Sequence, residues 1–122
     1  MELRDFNLNI SENQFEIISR LNDLFIDIPG IELQKRFKIP FYYRHSWVAY
    51  LNPIKKDGIE LCFIYGNEMS NHDGALQAKD RKQISGISFF NRNQIKADSV
   101  LDHFHEAIII DEEKAVSKKK SK

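Results

Sequence analysis

The fold turns on one stretch, "KRFKIPFYYRHSWVAYLN", Lys35 to Asn52. Phe37, Ile39, Phe41 and Tyr43 alternate with Lys38, Pro40, Tyr42 and Arg44, the period of a strand with one buried face. This reading turns Phe37, Ile39 and Phe41 toward a core and leaves Lys38, Tyr42 and Arg44 on the opposite face. Proline has no amide hydrogen for a sheet ladder, so Pro40 predicts an edge strand or a bulge. The run "SWVAYLN" reads as a second strand. After "NPIKKDG", whose Asp57-Gly58 pair favours a tight turn, "IELCFIYG" reads as a third. These last two predict an antiparallel hairpin, with Ile59, Leu61, Phe63 and Tyr65 on one side and Glu60, Cys62 and Ile64 on the other.

Upstream, "SENQFEIISRLNDLFIDI" is helical. Ser11 with Gln14 forms a capping box, and Ile17, Leu21, Leu24 and Ile28 recur at helical spacing. Pro29-Gly30 ends the segment. Downstream, "GNEMSNHDGALQAKDRKQ" is a long loop rich in turn formers, and "ISGISFFN" gives a further strand whose glycine suggests a bulge. A closing helix is predicted from about Ala97 to Glu113, with Asp98 as cap and Val100, Leu101, Phe104, Ala107 and Ile108 as its apolar stripe. Residues 1–113 thus form one domain, and the basic tail 114–122 is expected to fray. The expected fold class is α+β in two layers: an antiparallel sheet of about four to five strands with an N-terminal and a C-terminal helix on one face.

Composition limits the functions. The chain has 122 residues, 42% apolar and 30% charged, and its 18 basic side chains balance its 18 acidic ones. Phosphate neutralisation supplies most nucleic-acid affinity, so a balanced charge argues against a dedicated nucleic-acid binder. The tail "KAVSKKKSK" carries five lysines and no acid, with no aromatic for base stacking. Cys62, the one cysteine, has neither a disulfide partner nor a metal-site pair. "MELRDFNLNI" lacks a signal-peptide pattern, and no apolar run is long enough to span a bilayer. A cytoplasmic protein without a membrane partner is expected.

The motifs "IPFYYRHSWVAYLN", "FIYG", the loop with Gly74 and Leu76, "KDRKQI", "GISFF" and "HFHEAI" occur in an order that resembles the YdhG-like family of domains of unknown function. The likeness runs from about Phe15 to Asp111. It implies a compact domain with an antiparallel sheet. Some members have been proposed as frataxin-like iron chaperones, which makes iron the alternative cofactor.

Asp98, Asp102 and Glu106 share one face of the last helix and form the alternative metal set, since hard cations take oxygen ligands. A solvated helix face explains the same spacing. His103 and His105 lie two apart on a helix and point in different directions, so they cannot chelate one ion together. There is no Gly-rich phosphate loop, nucleophile elbow or paired-histidine helix, so no catalytic residue is assigned. The second sheet face is the candidate site: Cys62 and Ile64 are too apolar to face water uncovered. Tyr42, Trp47 and Tyr65 would supply aromatic walls, and Lys38, Arg44, Arg81 and Lys82 positive charge. The expected function is a binding module holding a small ligand, a protein or a second copy (a homodimer) by the open face and the loop 66–83. The alternatives are an iron-binding protein and a protein-protein adaptor.

Overall fold

In a computed structural model, which describes Leu3 and residues 8–120 (side chains to 118), two helices pack on one face of a five-stranded antiparallel sheet. The first helix, α1 (Glu12–Phe25), starts at the expected capping box: Ser11 Oγ accepts from the Gln14 amide at 3.1 Å, and Gln14 Oε1 accepts from the Ser11 amide at 3.0 Å. Its buried stripe is Gln14, Ile17, Ile18, Leu21 and Phe25. Five strands follow in simple meander order: β1 (Glu32–Arg36), β2 (Ile39–Tyr43), β3 (Trp47–Ile54), β4 (Gly58–Phe63) and β5 (Ser85–Phe89). The second helix, α2 (Ala97–Lys120), closes the chain.

The Lys35–Asn52 stretch folds differently from its alternation. Phe37 and Lys38 are not strand residues. They form a two-residue turn with φ of 51° and 65°, joining β1 to β2 through the Arg36–Ile39 pair. Two consecutive left-handed residues make the hairpin turn whose twist matches the strands, a role usually given to Asn-Gly. The strand containing Pro40 is therefore interior, and the unexpected β1 forms the edge. Pro40 sits opposite Lys35, while the ladder to β3 begins one residue later at Phe41–Tyr50. The missing amide hydrogen is thus placed where no ladder bond is made.

A bulge lies further along the same strand pair. Tyr42 pairs with Ala49 but Tyr43 pairs with Trp47, so Val48 is the extra residue. Val48 and Ala49 are both buried in the core. The helix-facing face is set by Tyr42, which is fully buried, and not by Phe41 as the alternation predicted. The Tyr42 ring meets Phe25 edge-on at 5.3 Å and Phe104 at 6.0 Å, while Phe25 and Phe104 stack at 4.0 Å. Its hydroxyl donates to Asn22 Oδ1 at 2.8 Å, which satisfies the one polar atom of the ring system.

The β3–β4 hairpin forms as expected, with a three-residue loop, Lys55 to Asp57, between Ile54 and Gly58. Gly58 opens β4, where a Cβ would lie 2.8 Å from the Phe90 ring. Ile59, Leu61 and Phe63 face the helices, while Glu60 and Cys62 take the other side. Gly86 is no bulge. It stays in register opposite Cys62, and a Cβ there would be 2.5 Å from Glu60 Oε2.

The last helix does not end at Glu113. It continues to Lys120, so much of the basic tail is helical. Lys114 bonds Glu68 at 2.9 Å and covers the Tyr65 ring at 4.2 Å, which ties this extension to the body. Asp98 lies inside the first turn.

The turn gives a direct test. Left-handed backbone costs an ordinary residue roughly 1–2 kcal/mol. Replacing Phe37 by Asn and Lys38 by Gly together should raise unfolding stability by about 1–2 kcal/mol, read as a higher urea midpoint at unchanged slope. A lower midpoint would contradict this turn geometry.

Candidate functional site on the outer sheet face

No helix covers the outer face of the sheet among the described residues, and it divides into two halves. On the β4–β5 half, Glu60 is 2% and Cys62 0% exposed. Their cover is the chain's own loop. Gln77 bridges to Gly86 along the free side of β5, with N–H···O distances of 2.9 and 3.0 Å. From there Arg81 reaches back across the space left by Gly86. Its Nη2 and Nη1 donate to the two Glu60 carboxylate oxygens at 2.7 and 3.1 Å, and its Nη1 lies 3.8 Å from Cys62 Sγ. Lys79 adds a longer contact to Glu60 at 3.5 Å.

The electrostatics follow from this packing. Burial pushes the Glu60 carboxyl up, but the Arg81 hydrogen bonds, the Cys62 thiol and the charges of Arg81 and Lys79 outweigh it and hold the group below the carboxylate range. Burial and the Glu60 charge push the Cys62 thiol up to about 12. Burial also raises Tyr50, with Cys62 beside it, to about 12. Cys62 is therefore a neutral, covered thiol: burial and the Glu60 charge disfavour its thiolate, and the Arg81 charge beside it is paired with Glu60.

The β1–β3 half is open and aromatic. Phe41 stacks on Tyr50 at 4.8 Å and meets Trp47 edge-on at 5.5 Å, while Tyr43 meets Trp47 at 5.0 Å. Phe37, at the turn, lies 5.9 Å from Phe41 and is 78% exposed. The Arg36 guanidinium lies over both Trp47, at 4.7 Å, and Phe37, at 5.3 Å. Phe41 is buried at the centre of this cluster, and Trp47, Tyr43 and Tyr50 are half-buried around it.

The expected site residues do not all converge here. Trp47 belongs to the open aromatic half, with Lys38 in the exposed turn at its margin. Arg81 belongs to the covered half, and Lys82 follows it on exposed loop. Tyr42 cannot wall a site, because it is enclosed between the helices and the sheet. Arg44 serves the chain's own packing: its Nε donates to the Pro29 carbonyl at 3.2 Å and its Nη1 pairs with Glu112 at 2.6 Å. Tyr65 lies under Lys114 beside a hollow of about 440 Å³ that also touches His45, Asp111 and Lys118. Arg36, Phe37, Phe41 and Tyr50 were missed as members of the surface. Of these, only the exposed aromatic-basic pair Arg36-Phe37 beside Lys38 gave a local signal.

Among the described residues, no three His, Cys, Asp or Glu side chains are grouped to hold a metal ion. Asp98 and Asp102 are exposed, and Glu106 instead accepts from the Ser70 amide at 2.7 Å. The loop is further tied to α2 by His103 Nε2 and Asp73 Oδ2, 3.1 Å apart. The Ala75 amide and His103 hold the Asp73 carboxyl below its usual range. No described helix is long and apolar enough to cross a membrane. The chain matches no protein-family model, no curated protein and no solved structure.

The Arg81 arm is testable by stability and by thiol chemistry together. Arg81→Met leaves the buried Glu60 charge with only the longer Lys79 contact and should cost about 3 kcal/mol at pH 7. Because Glu60 is depressed in the fold, its contribution is present above the ordinary value of 4.5 and is lost as pH falls through the folded pKa. The variant's deficit should therefore shrink in acid. Cys62 should resist a disulfide reagent in the parent and react in the variant under folding conditions. A deficit independent of pH, with Cys62 equally reactive in both, would contradict the arrangement.

Proposed function

We propose that the protein is a protein-binding module that docks an acidic segment bearing apolar anchors on the aromatic half of the outer sheet face. The observation that carries this reading is Phe37. It is a large apolar side chain, 78% exposed, on a backbone with φ of 51° that disfavours any β-carbon. Such a residue contributes little to folding there and costs stability, a combination that persists where a surface is used.

The surroundings define the partner. Arg36 and Lys38 flank the aromatic cluster on one side, and Lys79 and Arg81 stand on the other. Glu60 is neutralised by Arg81 and Lys79, so the positive character of the aromatic half rests on Arg36 and Lys38. An acidic partner fits that balance. A cluster of aromatics with an arginine is also the usual chemistry of protein hot spots. A small ligand is less well supported, because Phe41 at the centre of the aromatic half is buried and Arg81 covers the polar half. Base stacking is disfavoured as well, since the Arg36 guanidinium already occupies the Trp47 ring face.

Trp47 is the chain's one tryptophan, which makes the site its own reporter. Peptides selected from a random displayed library against this protein should be rich in Asp and Glu with aromatic or aliphatic anchors. Their binding should shift Trp47 emission, weaken with salt and fall at least about tenfold in Phe37→Ser. Peptides that bind Phe37→Ser equally and leave Trp47 emission unmoved would overturn the proposal. So would tighter binding of single-stranded oligonucleotides than of any selected peptide.

A further inference from the structure

The two edges of the sheet are finished differently. The β5 edge meets the chain's own loop at the isolated Gln77–Gly86 bridge. Beyond β1 no other strand lies among the described residues. In a two-residue hairpin the closing pair exchanges both hydrogen bonds, so Arg36, Gln34 and Glu32 direct their backbone groups at β2. Leu33 and Lys35 direct theirs outward. Edges left in this state are normally blunted by a proline, a bulge, a short length or charged side chains, and β1 carries only the last, in Glu32, Lys35 and Arg36. β1 is five regular residues, paired to β2 along its whole length.

We infer that β1 pairs antiparallel with β1 of a second copy of this chain, about a two-fold axis at Gln34. The sequence "ELQKR" is self-complementary in that register. Leu33 and Lys35 of one copy face Lys35 and Leu33 of the other, and these are the residues with outward backbone groups. Glu32 then stands opposite Arg36 twice, on the outer face, in the non-hydrogen-bonded positions where cross-strand side chains approach most closely. The intrachain bond from Gln34 Nε2 to Glu32 Oε2, at 3.2 Å, holds that carboxylate on the same face. Neighbouring registers are worse. Centring on Lys35 sets that lysine against itself, and centring on Leu33 loses both ion pairs. The two-fold axis runs perpendicular to the sheet, so both aromatic clusters point the same way across a ten-stranded sheet. Edge pairing of five residues buries less than a standard stable interface, so the dimer is a reversible one.

This inference does not rest on the partner docked on the aromatic face, although Arg36 borders both, and one variant separates them. Lys35→Pro removes an outward amide hydrogen without touching the β2 ladder or the aromatic rings. Sedimentation velocity over a concentration series at low salt should show a monomer–dimer equilibrium in the parent. Glu32→Arg and Arg36→Glu should each weaken it by about tenfold, and the double exchange should restore it. Lys35→Pro should abolish dimerisation yet keep the circular dichroism spectrum and the peptide-induced Trp47 shift. A parent that stays monomeric up to about millimolar concentration would overturn the inference, since even weak encounters register there. A dimer indifferent to Lys35→Pro and to both charge reversals would also overturn it.

Discussion

The inward orientation of Tyr42 is the constraint on which the arrangement of β1, β2 and β3 depends. Side chains alternate along a strand, so fixing one ring fixes the face of every neighbour. Tyr42 is locked by three agreeing contacts: edge-on packing against Phe25 from α1, edge-on packing against Phe104 from α2, and a hydroxyl bond to Asn22. Phe25 and Phe104 stack face to face between them, so this group of rings joins both helices to the sheet. With Tyr42 inside, Phe41 must turn outward, and the aromatic cluster of the open face is the consequence.

Two backbone irregularities make that orientation possible. The left-handed turn at Phe37 and Lys38 reverses the chain in two residues, which places β1 in register with β2 and sets the ring of Phe37 beside Phe41. The bulge at Val48 then puts two consecutive β3 residues into the core and brings Trp47 out opposite Tyr43. Without the extra residue, Trp47 would share the face of Ala49 and the helices. The same devices that complete the core therefore also assemble the exposed surface. On the other half of the face, Gly86 leaves the space through which Arg81 reaches Glu60, so a polar arm seals what would otherwise be an uncovered thiol and carboxylate.

Much of the fold was legible because its signals are local. The capping box at Ser11, the helical stripe of α1 and the β3–β4 hairpin need only nearest neighbours. The two-layer α+β class followed from their order. The parity of β2 was not legible, since "IPFYY" is apolar in both phases and alternation cannot choose between them. Neither was β1, because its turn lacks the glycine, asparagine or proline that usually marks one and "ELQKR" has a single apolar residue. The end of α2 was misread since a lysine-rich run looks solvated, whereas lysine is a good helix former and Lys114 finds Glu68 and Tyr65. Within the site, Trp47 was recognisable by type, and the apolar Cys62 signalled that its part of the face is covered. That Arg81 serves Glu60 depends on a contact across 21 residues that no spacing rule supplies.

The most direct test of this account is a nuclear Overhauser spectrum of the protein with its aromatic rings assigned. The account predicts cross-peaks from the Tyr42 ring to Phe25 and Phe104, and from the Phe41 ring to Trp47 and Tyr50. Cross-peaks from Phe41 to Phe25 or Phe104, with Tyr42 instead near Trp47, would show the strand turned over. In that event the aromatic face and its partner would both have to be abandoned.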